Sequence, residues 1–269
     1  MVAALLGVGV LSGAGVLAQL PFREYPGETS GFGGRPADWQ VPGEFVVGRL
    51  MYPPGNCYRG GMGGRDWLQG STSWTIDYPS GDRAFASILR RLTLVDVRSV
   101  EQPVNLDDGD DVFHWPFLMV IMPSTWDLTD DQVAKLREYL LRGGFLMADS
   151  FFGTEDWHCF MESMRRVFPD RPVVELPNEH PLFNVVYDFS ERHQIRNWRT
   201  LSRGGYRADG DEPSWRGILD DDGRIMVAMS FNNDMGDSWQ HADDPTYPQD
   251  DSHMGLRLGV NYAIYTMTH

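Results

Sequence analysis

Apolar positions repeat at helical spacing through Val133, Leu136, Tyr139 and Leu140, then stop at the pair Gly143-Gly144. Residues recurring every three or four positions line one helix face, and a glycine past the end supplies the left-handed exit that helices favour. The pattern predicts a helix over 130–142. Thr129 is its N-cap, acidic residues open it, and Arg137 and Arg142 close it, as the helix dipole favours. Phe145-Leu146-Met147-Ala148 follows at once, too short and too uniformly apolar for a surface strand, so both its faces should be covered. A second amphipathic helix is predicted over 155–168, ended by Pro169. Helix, buried strand, helix is the repeating unit of a parallel α/β sheet. In open sheets of that kind ligands gather at the carboxyl ends of strands, which makes Asp149 and Ser150 the first candidates for chemistry.

The remaining pattern extends this unit in both directions. Strands are predicted at 45–52, 94–100, 116–122 and 224–231, and helices from about Asp82, with Phe85, Ile88, Leu89 and Leu92 on one face, and over 256–267. The loop 53–70 is rich in glycine but lacks the Gly-Lys-Ser/Thr ending or Gly-x-Gly-x-x-Gly spacing of a phosphate cradle. The acidic stretch 107–111 lacks the spacing and the acidic twelfth position of an EF-hand, and reads as a solvated turn. His180 sits in a loop before Pro181, and a polar loop, 232–239, follows the strand ending at Phe231. No internal repeat is visible.

Residues 1–20 carry no charged side chain. Twenty helical residues rise about 30 Å, the hydrocarbon thickness of a bilayer. A cleaved secretory signal would open with basic residues, which are missing, so the segment is expected to be an uncleaved transmembrane anchor. Gly9 and Gly13 form a Gly-x-x-x-Gly pair that would let another membrane helix pack closely. Residues 21–44, with Pro21, Pro26, Pro36 and Pro42, read as an extended tether. By analogy with signal anchors, the globular part is expected on the periplasmic side of the cytoplasmic membrane.

Composition narrows the partners. At 269 residues and 42% hydrophobic the chain can bury one large core, placing a single domain at 45–269. A formal net charge of −15 excludes nucleic acid, whose phosphates need a basic footprint, and could attract a basic soluble protein or divalent cations. Two cysteines, Cys57 and Cys159, make no disulfide framework, and the sequence leaves open whether they pair. Nine tryptophans point to an aromatic core or an aromatic contact surface.

Several segments in order carry a family resemblance. They are Arg49-Leu50-Met51-Tyr52, Trp74-Thr75-Ile76-Asp77-Tyr78-Pro79, Arg142-Gly143-Gly144-Phe145-Leu146-Met147-Ala148-Asp149, Trp157-His158, His180-Pro181-Leu182-Phe183, and the ending from Leu258 to His269. Together they resemble an uncharacterised bacterial domain-of-unknown-function family, found behind an N-terminal anchor or at the end of longer membrane proteins. The resemblance implies a fold similar to class I glutamine amidotransferases: α/β, flavodoxin-like, a mostly parallel sheet with helices on both faces, here preceded by one transmembrane helix. It implies no reaction. Amidotransferases of that fold carry a cysteine nucleophile in the sharp turn after a central strand, where this chain has Asp149-Ser150-Phe151. The family pattern puts a second Asp at the place of Ser150. Anchored members are also similar to accessory subunits of bacterial photosynthetic reaction-centre and antenna complexes, an association tied to no single motif.

Three functions follow. The first is a non-catalytic, membrane-anchored subunit bracing a larger membrane complex, with no cofactor, no catalytic residues and no metal. The second is a hydrolase of a polar substrate such as a glycan, with Ser150 as nucleophile, His180 or His158 as base and Asp149 or Asp77 as orienting acid; the chain lacks the Gly-x-Ser-x-Gly elbow. The third is a carbohydrate- or calcium-binding module using Asn232, Asp234, Asp237 and Trp239, since carboxylates with amide oxygens suit calcium and tryptophan faces suit sugars.

Overall fold

The most apolar runs form the middle of one seven-stranded sheet. In the computed structural model, which describes residues 20–27, 35–57, 60–62 and 66–269, the strands are β1 (Gly48–Met51), β2 (Gln102–Asn105), β3 (Phe117–Ile121), β4 (Phe145–Asp149), β5 (Val174–Glu175), β6 (Ser214–Leu219) and β7 (Ile225–Phe231). Their order is β2-β1-β3-β4-β7-β6-β5. The pairs from β2 across to β7 are parallel, and β6 and β5 complete the sheet as antiparallel strands. The helices are α1 (Ser80–Leu92), α2 (Asp130–Leu141), α3 (Gly153–Val167), α4 (Met235–Gln240) and α5 (Gln249–Thr268).

Alternation along each central strand sends side chains into two cores. Leu118, Val120, Leu146 and Ala148 pack with Leu136 and Leu140 of α2 and Phe160 and Met164 of α3. Phe117, Met119, Ile121, Phe145 and Met147 pack with Phe85, Leu89, Trp239, Leu258 and Tyr262, from α1, α4 and α5. Covering both faces explains why β3 and β4 read as unbroken apolar runs. The capping box anticipated in part from Thr129 is complete, because Gln132 returns a bond to the Thr129 backbone.

Several boundaries move. The strand predicted at 94–100 lies instead at β2, and Val97 makes only an isolated bridge to Phe45. Gln102-Pro103-Val104-Asn105 conceals a strand because proline cannot donate to a ladder, yet β2 is at the sheet edge, where that is tolerated. The polar loop predicted at 232–239 contains α4, capped by Asp234, and most of it is buried. The last helix starts seven residues earlier than its apolar stretch, with Asp250 and Asp251 in its first turn. Cys57 and Cys159 are joined by a disulfide that ties the loop after β1 to α3.

The anchor, with Gly9 and Gly13, lies outside the described residues apart from Leu20. Among the described residues no helix is long and apolar enough to cross a membrane. The described part of 21–44 has no strand or long helix, but it lies against the domain. Pro26 O accepts from Ser71 N at 2.9 Å, Tyr25 meets Trp74 edge-on at 5.4 Å, and Arg90 reaches Asp38 at 2.8 Å.

Candidate functional site

The carboxyl ends of the parallel strands converge on a set of buried carboxylates. β4 ends on Asp149, which is fully buried and accepts from Met235 N at 3.1 Å and Gly236 N at 2.9 Å, the first amides of α4. Ser150 then turns into the left-handed region at φ 59°, which aims its Oγ at Asp234 Oδ2, 2.9 Å away. Asp234 caps α4 by accepting from Asp237 N at 3.1 Å. Asn197 Nδ2 donates to both Asp234 Oδ2 (2.8 Å) and Asp237 Oδ2 (3.0 Å), and Trp198 N donates to Asp237 at 2.6 Å. Asp77 enters from the loop before α1, also left-handed at φ 60°. Carboxylate oxygens of Asp77, Asp234 and Asp237 lie within 4.8 Å of one another, and all three residues are buried.

Two further left-handed residues mark the same rim, Met122 after β3 (φ 48°) and Asn232 after β7 (φ 59°). Each such conformation costs a non-glycine residue about 1–3 kcal/mol and persists where surrounding bonds over-determine it. At Asn232 those bonds are explicit: its Oδ1 accepts from Gly153 N at 2.8 Å and its Nδ2 donates to Glu212 O at 2.6 Å. The Asp77 turn is held from beneath by Arg49 of β1. Arg49 is fully buried, pairs with both oxygens of Asp82 at 2.7 and 3.1 Å, and donates to Ile76 O at 3.3 Å.

Electrostatics follow from burial. Asp149 is pushed well above the ordinary carboxylate range by burial and then by the charge of Asp234, against the opposing help of the α4 amides. Burial raises Asp234 as well, and Asp237 rises well above its usual value through burial, Asp234 and Asp77. Carboxylates this close either share protons or surround a cation. The histidine beside them is His241, whose Nε2 is 3.8 Å from Asp237 and whose pKa burial lowers.

A family model for a domain of unknown function, DUF4159, matches residues 67–267. The chain belongs to this family. No curated protein matches it. The DUF4159 segment contains all four carboxylates, whereas Arg49, which steadies the Asp77 turn, precedes it.

Within the DUF4159 fold, Asp77, Asp149, Ser150, Asp234 and Asp237 come together as one site, with Asn232 at its edge. His180 does not join them. Its Nδ1 accepts from Leu182 N at 3.1 Å, and its ring lies 5.9 Å from Tyr265, near the end of α5. The start of α5, at Asp251, is the part that borders the site through Arg196 (2.8 Å). Fourteen helical residues between Asp251 and Tyr265 span about 21 Å, too far for His180 to serve Ser150 as a base. His158 is exposed on α3, paired with Glu162 at 3.4 Å. Trp239 offers no face to a sugar, because it is buried, stacked on Phe85 at 4.1 Å, and donates to Gly255 O at 3.0 Å. Asn197 and His241 were invisible in the sequence: neither sits in a recognisable spacing, and each reaches the site only through the tertiary placement of α4.

Proposed function

We propose that this chain is a non-catalytic, membrane-tethered accessory subunit that braces a larger bacterial membrane complex from the periplasmic side of the cytoplasmic membrane. The observation that carries the reading is the docked tether. Leu20 N donates to Asp111 Oδ1 at 3.2 Å, so the chain is bound to the domain from the residue that ends the uncharged segment. A body held at that point has no slack with which to swing free of a bilayer, as a bracing subunit requires. The Cys57–Cys159 disulfide fits an oxidising compartment. Ser150 is buried against Asp234 with His180 elsewhere, which fits a body without serine-based hydrolysis. The strand order β2-β1-β3-β4-β7 follows the doubly wound, flavodoxin-like arrangement and supports the amidotransferase-like fold. Photosynthetic reaction-centre and antenna assemblies are the specific complexes to examine, and the acidic exterior suits a basic soluble protein as a further partner. Affinity purification of the tagged chain in mild detergent should recover a fixed set of membrane proteins in constant ratio. Recovery of the chain without detergent, in the soluble fraction and alone, would overturn the reading.

A second reading concerns the carboxylates themselves: they bind a hard divalent cation, calcium by preference. Calcium takes oxygens at about 2.3–2.6 Å, so ligands on opposite sides of one ion stand about 5 Å apart. Carboxylate oxygens of Asp77, Asp234 and Asp237 all lie within 4.8 Å of one another, close enough for one ion to reach all three. Calcium should raise the melting temperature, and Asp237→Asn should abolish the rise. An unchanged melting curve across calcium and chelator would dismiss it.

A further inference from the structure

The surface where the chain enters the fold differs from the rest of the exterior. Phe22 packs on Trp39 with ring centroids 5.8 Å apart, and the Arg98 guanidinium lies 5.9 Å from the Phe22 ring. Residues 38–45 run alongside 90–98: Arg90 meets Asp38 at 2.8 Å, Asp96 N donates to Glu44 at 3.0 Å, and Phe45 N donates to Asp96 O at 3.1 Å. Phe22 and the two segments 38–45 and 90–98 therefore form one surface at the amino ends of β1 and β2, whereas residues 23–27 leave it for Ser71 and Trp74, beside the Asp77 turn. The surface exposes Leu20, Val41, Leu92 and Leu94, the last completely (105%). Phe22, Trp39, Pro42, Val46 and Arg98 line a hollow of about 280 Å³ in it.

Charge sets this surface apart as well. In a chain of net charge −15, residues 20–22, 35–46 and 90–98 hold four arginines against three carboxylates. Exposed leucines, a half-buried tryptophan and arginines with long apolar stems are the residue types that settle at a headgroup layer. The acidic remainder would be repelled by anionic lipid, which favours turning this surface toward the bilayer and the carboxylates away.

We propose that this surface seats directly on the phospholipid headgroup layer of the membrane holding the N-terminal segment. The inference rests on the anchored reading above and adds to it a defined orientation. The occupant is lipid because the uncharged segment, residues 1–19, joins the body at Leu20 on this same surface. Leu20, Val41, Leu92, Leu94 and Trp39 then lie where the bilayer surface must be.

The full chain in phosphatidylcholine nanodiscs, with and without dibrominated acyl chains, tests the seat. Tryptophan emission compared among wild type, Trp39→Phe and Trp198→Phe isolates the two rings. Trp198 serves as the far-side reference because it stacks on His241 beside the carboxylates. Bromine should quench the Trp39 component and spare that of Trp198. Leu94→Asp, at a fully exposed position, should weaken the Trp39 quenching without lowering the melting temperature, and it keeps the test open if Trp39→Phe folds poorly. Equal quenching of both rings, or none at Trp39, in a chain that still elutes with the disc would overturn the seat alone. A chain that elutes apart from the disc would overturn the anchored reading and the seat together.

Discussion

Replacing Arg49 by methionine isolates the group that steadies the Asp77 turn. Arg49 and Asp82 are fully buried and form a two-pronged pair, with a third Arg49 bond to Ile76 O directly before Asp77. Methionine removes the cation and leaves the Asp82 carboxylate buried without its partner, a change that costs about 3–5 kcal/mol. For a domain of this size each kcal/mol moves the melting temperature by about 2–4 °C, so Arg49→Met should melt about 6–20 °C early. The double variant Arg49→Met/Asp82→Leu removes both charges and should recover most of the loss, because apolar replacements of buried pairs are often neutral. Urea unfolding of wild type, both single variants and the double variant measures the coupling. A single-variant cost below about 1 kcal/mol, at the level of an exposed pair, would refute the reasoning. So would a double variant as unstable as the summed singles.

The carboxylates give a prediction with a sign. Asp149, Asp234 and Asp237 have folded pKa values raised above the ordinary 3.8, so the stability they contribute is fully present below that value and lost as pH rises through the raised folded values. Asp237→Asn should therefore raise stability at pH 7 and flatten its decline from acid to neutral pH, read by urea titrations at several pH values; a steeper decline would contradict this. Replacing Cys57 and Cys159 together by alanine opens a link between positions 102 residues apart. The loss should be about 2–5 kcal/mol, visible as a lower urea midpoint, while wild type treated with a thiol reductant should fall toward the same value. Gly236→Ala improves helix propensity by about 1 kcal/mol at most, but its methyl would press on the Asp77 carboxylate. Overpacking of that kind costs about 1–3 kcal/mol, so the variant should be less stable on balance, and a higher melting temperature would refute the packing.

What could be read from the chain alone follows from how local each signal is. α2, β4 and α3 were legible because helical spacing, a double glycine and an apolar tetrad lie within one stretch of sequence. β2 was not, because its proline and polar residues are tolerated only at an edge, and edge position is a tertiary fact. β6, Ser-Trp-Arg-Gly-Ile-Leu, mixes glycine and arginine into a strand that pairs with β7, and no local period announces it. Asp149 and Ser150 were legible as strand-end residues, and Asp234 and Asp237 as polar neighbours. Their convergence with Asp77 was not, since it depends on Asp234 capping a six-residue helix that points its first amides at Asp149. Trp239 misled because tryptophan in a polar stretch looks exposed, while its ring is stacked into the second core.

The mass of the particle purified from native membranes in mild detergent tests the central claim most directly. A bracing subunit predicts that the chain migrates within an assembly far heavier than its own 30.5 kDa, with its N-terminal segment still attached. A trimmed, detergent-independent particle with the mass of a single chain would contradict the account.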